Sequence, residues 1–169
     1  EYNKLCFWTK NRVNEDEFKT TLVNFMDQLI KENPVDSLIK EGNNRILNML
    51  KENGIKGQMI LFAQSIFEAG NVTTHNIINW TDYFWKLSPS DKKTKELCSK
   101  WVNYAFNVNR FNGKVAIPAA DFLARIGNFK DAKVILEKAI ASQKEIKNED
   151  PKLLRNLELK LQDVNNGKL

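Results

Sequence analysis

The chain has 169 residues, 42% of them hydrophobic and 28% charged, a balance that buries a core in one soluble domain and argues against disorder. Its longest apolar patch, Met59 to Ala63, falls far short of the roughly 20 residues that a membrane-spanning helix needs. The net charge of +5 permits contact with an acidic surface, but basic residues alternate with Asp and Glu. The one local excess, Lys92, Lys93, Lys95 and Lys100, is partly offset by Asp91 and Glu96, so no one-sided basic face of the kind that binds nucleic acid stands out.

Residues 1–13 carry a short apolar run, Leu5 to Trp8, that reads as a strand, a helical turn or the remnant of a linker from a preceding domain. Asn14, with Glu17 three residues on, has the form of a capping box, and Phe18, Leu22, Phe25, Met26, Leu29 and Ile30 then recur at helical spacing up to Glu32. Asn33-Pro34 opens a second stretch through Val35, Leu38, Ile46 and Leu50, interrupted at Gly42 and closed at Gly54. A third stretch, Met59 to Phe67, stops at Gly70. Thr73 or Thr74 is the expected cap of a fourth helix carrying Ile77, Ile78, Trp80, Tyr83, Phe84 and Trp85. Ser90 is the expected cap of a fifth, in which Leu97, Trp101, Tyr104, Ala105 and Val108 share a face. Beyond a break at Asn109 to Gly113, two apolar stripes, Ala116 to Ile126 and Phe129 to Ile140, flank Gly127-Asn128. Glycine suits a left-handed residue after a helix and asparagine suits an N-cap, so the pattern predicts a helical hairpin with a very short turn. A last helix starts at Asp150-Pro151, buries Leu153, Leu154, Leu157 and Leu161, and closes at Asn166-Gly167. The expected fold is a single all-α domain over 1–169, with seven or eight helices in antiparallel hairpins. Residues 114–165 form its repeat-like hairpin and capping helix.

Gly127-Asn128-Phe129, Ala132, Leu136 and Ala139, with Ala120 and Leu123 upstream, resemble one tetratricopeptide unit, which sets small residues where its two helices touch. Leu136 stands in the Phe place of the A-x3-F pattern, and the Trp and Pro places of the repeat fall on Ala116 and Lys144. The region from about Val72 onward also resembles the helical segment that follows the thioredoxin domain in some bacterial thioredoxin-family proteins. That resemblance includes no active-site motif. It implies a non-catalytic, thioredoxin-related scaffold that binds a protein or peptide. With Glu1 in place of Met, the sequence reads as a processed product or an excised fragment, periplasmic or secreted if a signal peptide was removed.

Catalytic chemistry has little raw material. His75 is the sole histidine, Cys6 and Cys98 are too far apart for a C-x-x-C motif, and no glycine-rich phosphate loop or calcium loop is present. The expectations are therefore no enzyme activity, no cofactor and no metal. Both cysteines are expected to be unpaired, mostly buried and slow to react in the native state, with a long-range disulfide between them as the alternative. The rings of Trp80, Tyr83, Phe84, Trp85, Trp101, Tyr104, Phe106 and Phe111 have the spacing of packed helix faces. The rival reading sets them beside Lys92, Lys93, Lys95 and Arg110 as a stacking surface for nucleic acid or another polyanion. A partner-binding face, if the hairpin has one, is expected at Asp121, Arg125, Lys130, Lys133 and Glu137, opposite the hairpin core.

Overall fold

The computed structural model describes residues 1–38, 40, 71–89, 91–109, 112–145 and 150–168, with side chains omitted at 71–73. Among the described residues the chain is all-α, as the periodicity predicts. Its helices are α1 (Tyr2–Asn11), α2 (Glu15–Glu32), α3 (Asn71–Leu87), α4 (Lys92–Val108), α5 (Gly113–Arg125), α6 (Phe129–Glu145) and α7 (Pro151–Asn165). A further helical turn covers residues 35–38. The expected stretches from Ile46 to Gly54 and from Met59 to Gly70 lie outside the described residues.

The ambiguous N-terminal run is a helix. Leu5 and Trp8, a turn apart, are buried and join the main core, while Phe7 on the opposite side is 60% exposed. Tyr2 meets the ring of Trp80 edge-on at 5.3 Å, and Phe25 of α2 meets the same ring at 5.7 Å and 87°. Phe18, Leu22 and Met26 form the buried stripe of α2, with Phe25, Leu29 and Ile30 packed at its margin. Helices α1 and α2 thus enclose one side of α3.

The connection between them departs from the capping box. Asn14 adopts a left-handed conformation (φ 56°, ψ 48°) and its side chain caps nothing; Arg12, at φ 52°, is left-handed as well. A capping side chain reaches the first turn from an extended backbone, and the left-handed turn takes it out of range. Only the Asn14 carbonyl engages the helix, accepting the Phe18 N–H at 2.7 Å.

At the start of α4 the cap is Asp91. Its extended backbone (φ −86°, ψ 123°) lets Oδ2 accept the Thr94 hydroxyl at 2.8 Å and the Thr94 N–H at 2.7 Å. Those bonds, the hydroxyl's first, favour the ionised carboxylate and hold it below its ordinary range. Helix α3 likewise already includes Asn71 and so extends ahead of the expected Thr73 or Thr74 cap.

The hairpin is built as its sequence implies. Gly127 is left-handed (φ 75°), its N–H bonds the Ala124 carbonyl at 2.8 Å, and the Asn128 N–H bonds the Leu123 carbonyl at 2.8 Å. This is the Schellman pair that satisfies the last carbonyls of α5. Asn128 then caps α6, its Oδ1 accepting the Asp131 N–H at 3.3 Å. Ala116, Ala119, Ala120, Ala132 and Ala139 are fully buried, so the absence of larger side chains lets the two backbones approach.

Helix α5 starts at Gly113, capped by Asn112, which places Pro118 inside the helix. Proline has no N–H for the Lys114 carbonyl, so one helical hydrogen bond is missing there, at an exposed residue. A Cβ on Gly113 would come within 3.1 Å of both Leu153 and Leu157, so α7 crosses close over the start of α5. Asp150 caps α7 by accepting the Lys152 and Leu153 N–H groups, with proline at its first turn. Leu157 and Val164 are its buried residues, whereas Leu153, Leu154 and Leu161 are only part-buried and Leu159 faces outward.

Candidate functional site

The residues expected to form one partner-binding face are split, two drawn to neighbouring helices and three left together on α6. Asp121 pairs with Lys160 of α7 at 2.8 Å, and Arg125 pairs with Asp82 of α3. Both tie α5 to helices on either side of it. Lys130, Lys133 and Glu137 remain together on the outer side of α6, where Lys133 and Glu137 are a loose exposed pair at 3.8 Å. Val134, 38% exposed, lies on the same stripe, and Phe129, 39% exposed, stands at the start of the helix. The sequence reading grouped five residues by helical period alone, and it missed the apolar Val134 and Phe129 among them.

The inner edge of the same turn is polar and closely tied. Asp131 Oδ2 accepts side-chain amide N–H groups from Asn103 at 2.8 Å and from Asn128 at 2.9 Å, and Asn128 also reaches the Ser99 hydroxyl at 2.9 Å. Lys95 donates to the Gly127 carbonyl at 3.3 Å, a cation set at the negative end of α5. Helix α4 thereby fixes the direction in which α6 leaves the turn.

Six of the eight aromatic residues are core. Trp80, Trp101 and Phe106 are at most 1% exposed, Phe84, Tyr83 and Tyr104 at most 7%, and Phe84 meets Trp101 edge-on at 5.0 Å. These rings are covered by neighbouring helices, which removes them as a platform for stacked bases. Trp85 is half-buried, and Phe111 and Arg110 lie outside the described residues.

A second surface feature joins α1 and α3, where a hollow of about 350 Å³ has Cys6, Lys10 and Arg12 on one wall and Asn79, Tyr83 and Lys86 on the other. Tyr83 is 7% exposed, and its hydroxyl is buried without a hydrogen-bond partner. Burial first, then the nearby Glu15 carboxylate, raises its pKa against the opposing pull of Arg12. It is therefore a neutral O–H at physiological pH. An unmade hydrogen bond of that kind costs about 1–3 kcal/mol. No local sequence pattern marks this place, because its walls come from helices some seventy residues apart.

The two sulfurs differ. Cys98 is fully buried, its Sγ 3.9 Å from the Thr81 carbonyl, and burial foremost, with the Asp82 charge, pushes its pKa up to about 12. Cys6 is half-buried on the wall of the hollow, which corrects the expectation that both thiols are shielded. With a thiol reagent at neutral pH, Cys6 should be modified in the folded protein and Cys98 only on unfolding. Mass spectrometry of partly labelled protein checks this, and early label on Cys98 would contradict the packing of α3 against α4.

Among the described residues no group of three or more His, Cys, Asp or Glu side chains is placed to hold a metal ion. No helix among them is long and apolar enough to cross a membrane. His75 is exposed on α3, past its first turn. Comparison with known proteins finds no family model, no curated protein and no solved structure that matches this chain.

Proposed function

We propose that the chain is a non-catalytic helical scaffold that holds a protein or peptide partner along the outer stripe of α6. The observation that carries this reading is the composition of that stripe. Lys130, Lys133, Val134, Glu137 and Lys138 are all exposed on one side of a helix whose other side is anchored through Ala132, Ile135, Leu136 and Ala139. A rigid helix with an apolar centre and a mostly basic rim suits an acidic amphipathic segment, whose apolar residues would cover Val134 and whose carboxylates would meet the lysines. The short Schellman turn and the alanine-lined contact support kinship with tetratricopeptide hairpins. Kinship with the helical region of thioredoxin-related proteins rests on the sequence resemblance alone, and reading the parent open reading frame upstream of Glu1 tests it.

A photo-crosslinking residue at position 134, in the full-length protein in its own cells, tests the docking face. The expected result is one discrete adduct that is lost when Lys130→Glu and Lys133→Glu are introduced together. An equally strong adduct from a control site at Lys152, or none from position 134, overturns the proposal.

A further inference from the structure

Helix α7 packs on α5 and α6 through Leu157 and Val164, and its flanks are tied to them as well. Glu158 pairs with Lys144 of α6 at 3.1 Å, and Lys160 pairs with Asp121 of α5 at 2.8 Å. The 3.6-residue period then sets Arg155, Asn156, Leu159, Gln162 and Asp163 in one outward stripe opposite Leu157. Leu159, at its centre, is 49% exposed; Arg155 and the two amides are exposed, and Asp163 is part-exposed. Among the described residues neither Arg155 nor Asp163 lies within ion-pair distance of an opposite charge. The helix has no acid in its first turn and no base in its last. Lys152 near its start and Asp163 near its end both stand against the helix dipole, so stability of the isolated helix does not account for this order of charges.

We propose that this stripe pairs with the same stripe of a second copy of the chain, the two α7 helices running antiparallel about a two-fold axis at Leu159. The charges select that partner. Arg155 and Asp163 stand four residues before and four after Leu159, about 6 Å along the axis on either side of it. A two-fold at Leu159 brings each residue level with the one equally far beyond Leu159 on the other helix. Arg155 of each copy therefore meets Asp163 of the other, Asn156 meets Gln162, and the two Leu159 side chains meet at the axis. Each charge also comes to the end of the opposite helix whose dipole favours it. A parallel pair sets Arg155 against Arg155 and Asp163 against Asp163, so the pattern specifies direction as well as partner. With one exposed leucine per copy, the contact is a small, reversible one and not an obligate interface. It owes nothing to the α6 reading, and either can fail without the other.

Charge exchange in the intact chain, followed by sedimentation equilibrium, is the test. The wild type should show a monomer–dimer equilibrium with a Kd on the order of 100 µM, weakened by added salt. Arg155→Glu alone and Asp163→Arg alone each set like charges across the axis, and each should weaken the dimer at least about tenfold. An equimolar mixture of these two variants regains both ion pairs as a heterodimer and should recover to within about threefold of the wild-type Kd, as should the double variant with itself. Positions 155 and 163 are too far apart on one helix to pair with each other, so such recovery arises only between copies. Circular dichroism confirms that each variant is folded. A chain that stays monomeric at about 1 mM overturns the proposal. So does a dimer indifferent to the exchanges, or one abolished by Lys130→Glu with Lys133→Glu, since either places the contact elsewhere. A crosslink from position 152 to a second copy, at twice the chain's mass, supports this contact and does not bear on the α6 face.

Discussion

Trp101→Ala should destabilise the protein by about 3–5 kcal/mol, the usual cost of truncating a large buried aromatic. Trp101 is fully buried in the middle of α4 and packs its ring against Phe84 of α3. Removing it opens a void between two helices that are themselves pinned by Thr94, Cys98 and Ala105, so the site has little freedom to collapse. For a domain whose whole stability is of the order of 5–15 kcal/mol, such a loss brings the unfolding midpoint in urea down sharply. Trp101→Phe should cost much less, because it keeps an aromatic ring in place and also removes an indole N–H that is buried without a partner. A loss below about 1 kcal/mol for the alanine variant would mean that α3 and α4 do not pack as described.

The second large effect is expected at the hairpin, from adding atoms. Ala132 is fully buried where α6 meets α5, and its neighbour Lys133 is exposed. Ala132→Leu should cost about 1–3 kcal/mol by overpacking a contact built for a methyl group. Lys133→Leu, the same new side chain one residue along, should stay within about 0.5 kcal/mol of wild type. Denaturant titrations of the pair compare directly, and equal small effects would dismiss the close approach of α5 and α6.

The parts of this fold that sequence revealed were those governed by neighbours in the chain. Gly127-Asn128 reads as a stop and a start because a left-handed glycine and a capping asparagine act within one turn, and Asp150-Pro151 reads as a start for the same kind of reason. The stripe of α2 follows from its 3.6-residue period. Failures came where a distant element decides. Asn14 has the residue types of a capping box, but the tight return from α1 to α2 makes it left-handed. Asp121 and Arg125 share a predicted outer face only until α7 and α3 close on the two sides of α5. The hollow escaped notice for the same reason.

The packing among the described residues also favours an order of assembly. From α3 onward the partners are mostly neighbours in sequence, α3 with α4, α5 with α6 and α6 with α7, which keeps the loops to be closed short. The N-terminal pair is attached differently. Asn76 bonds the Tyr2 hydroxyl 74 residues away, Lys100 meets Asp27 at 3.1 Å across 73, and the Tyr104 hydroxyl donates to the Asn33 carbonyl at 2.9 Å across 71. Closing such spans costs more chain entropy than closing a hairpin, and contacts of low sequence separation form fastest. On the contacts among the described residues, the C-terminal helices are expected to form first and α1 and α2 to dock on them last, and pulsed hydrogen exchange that finds α2 protected as early as α4 would contradict this order.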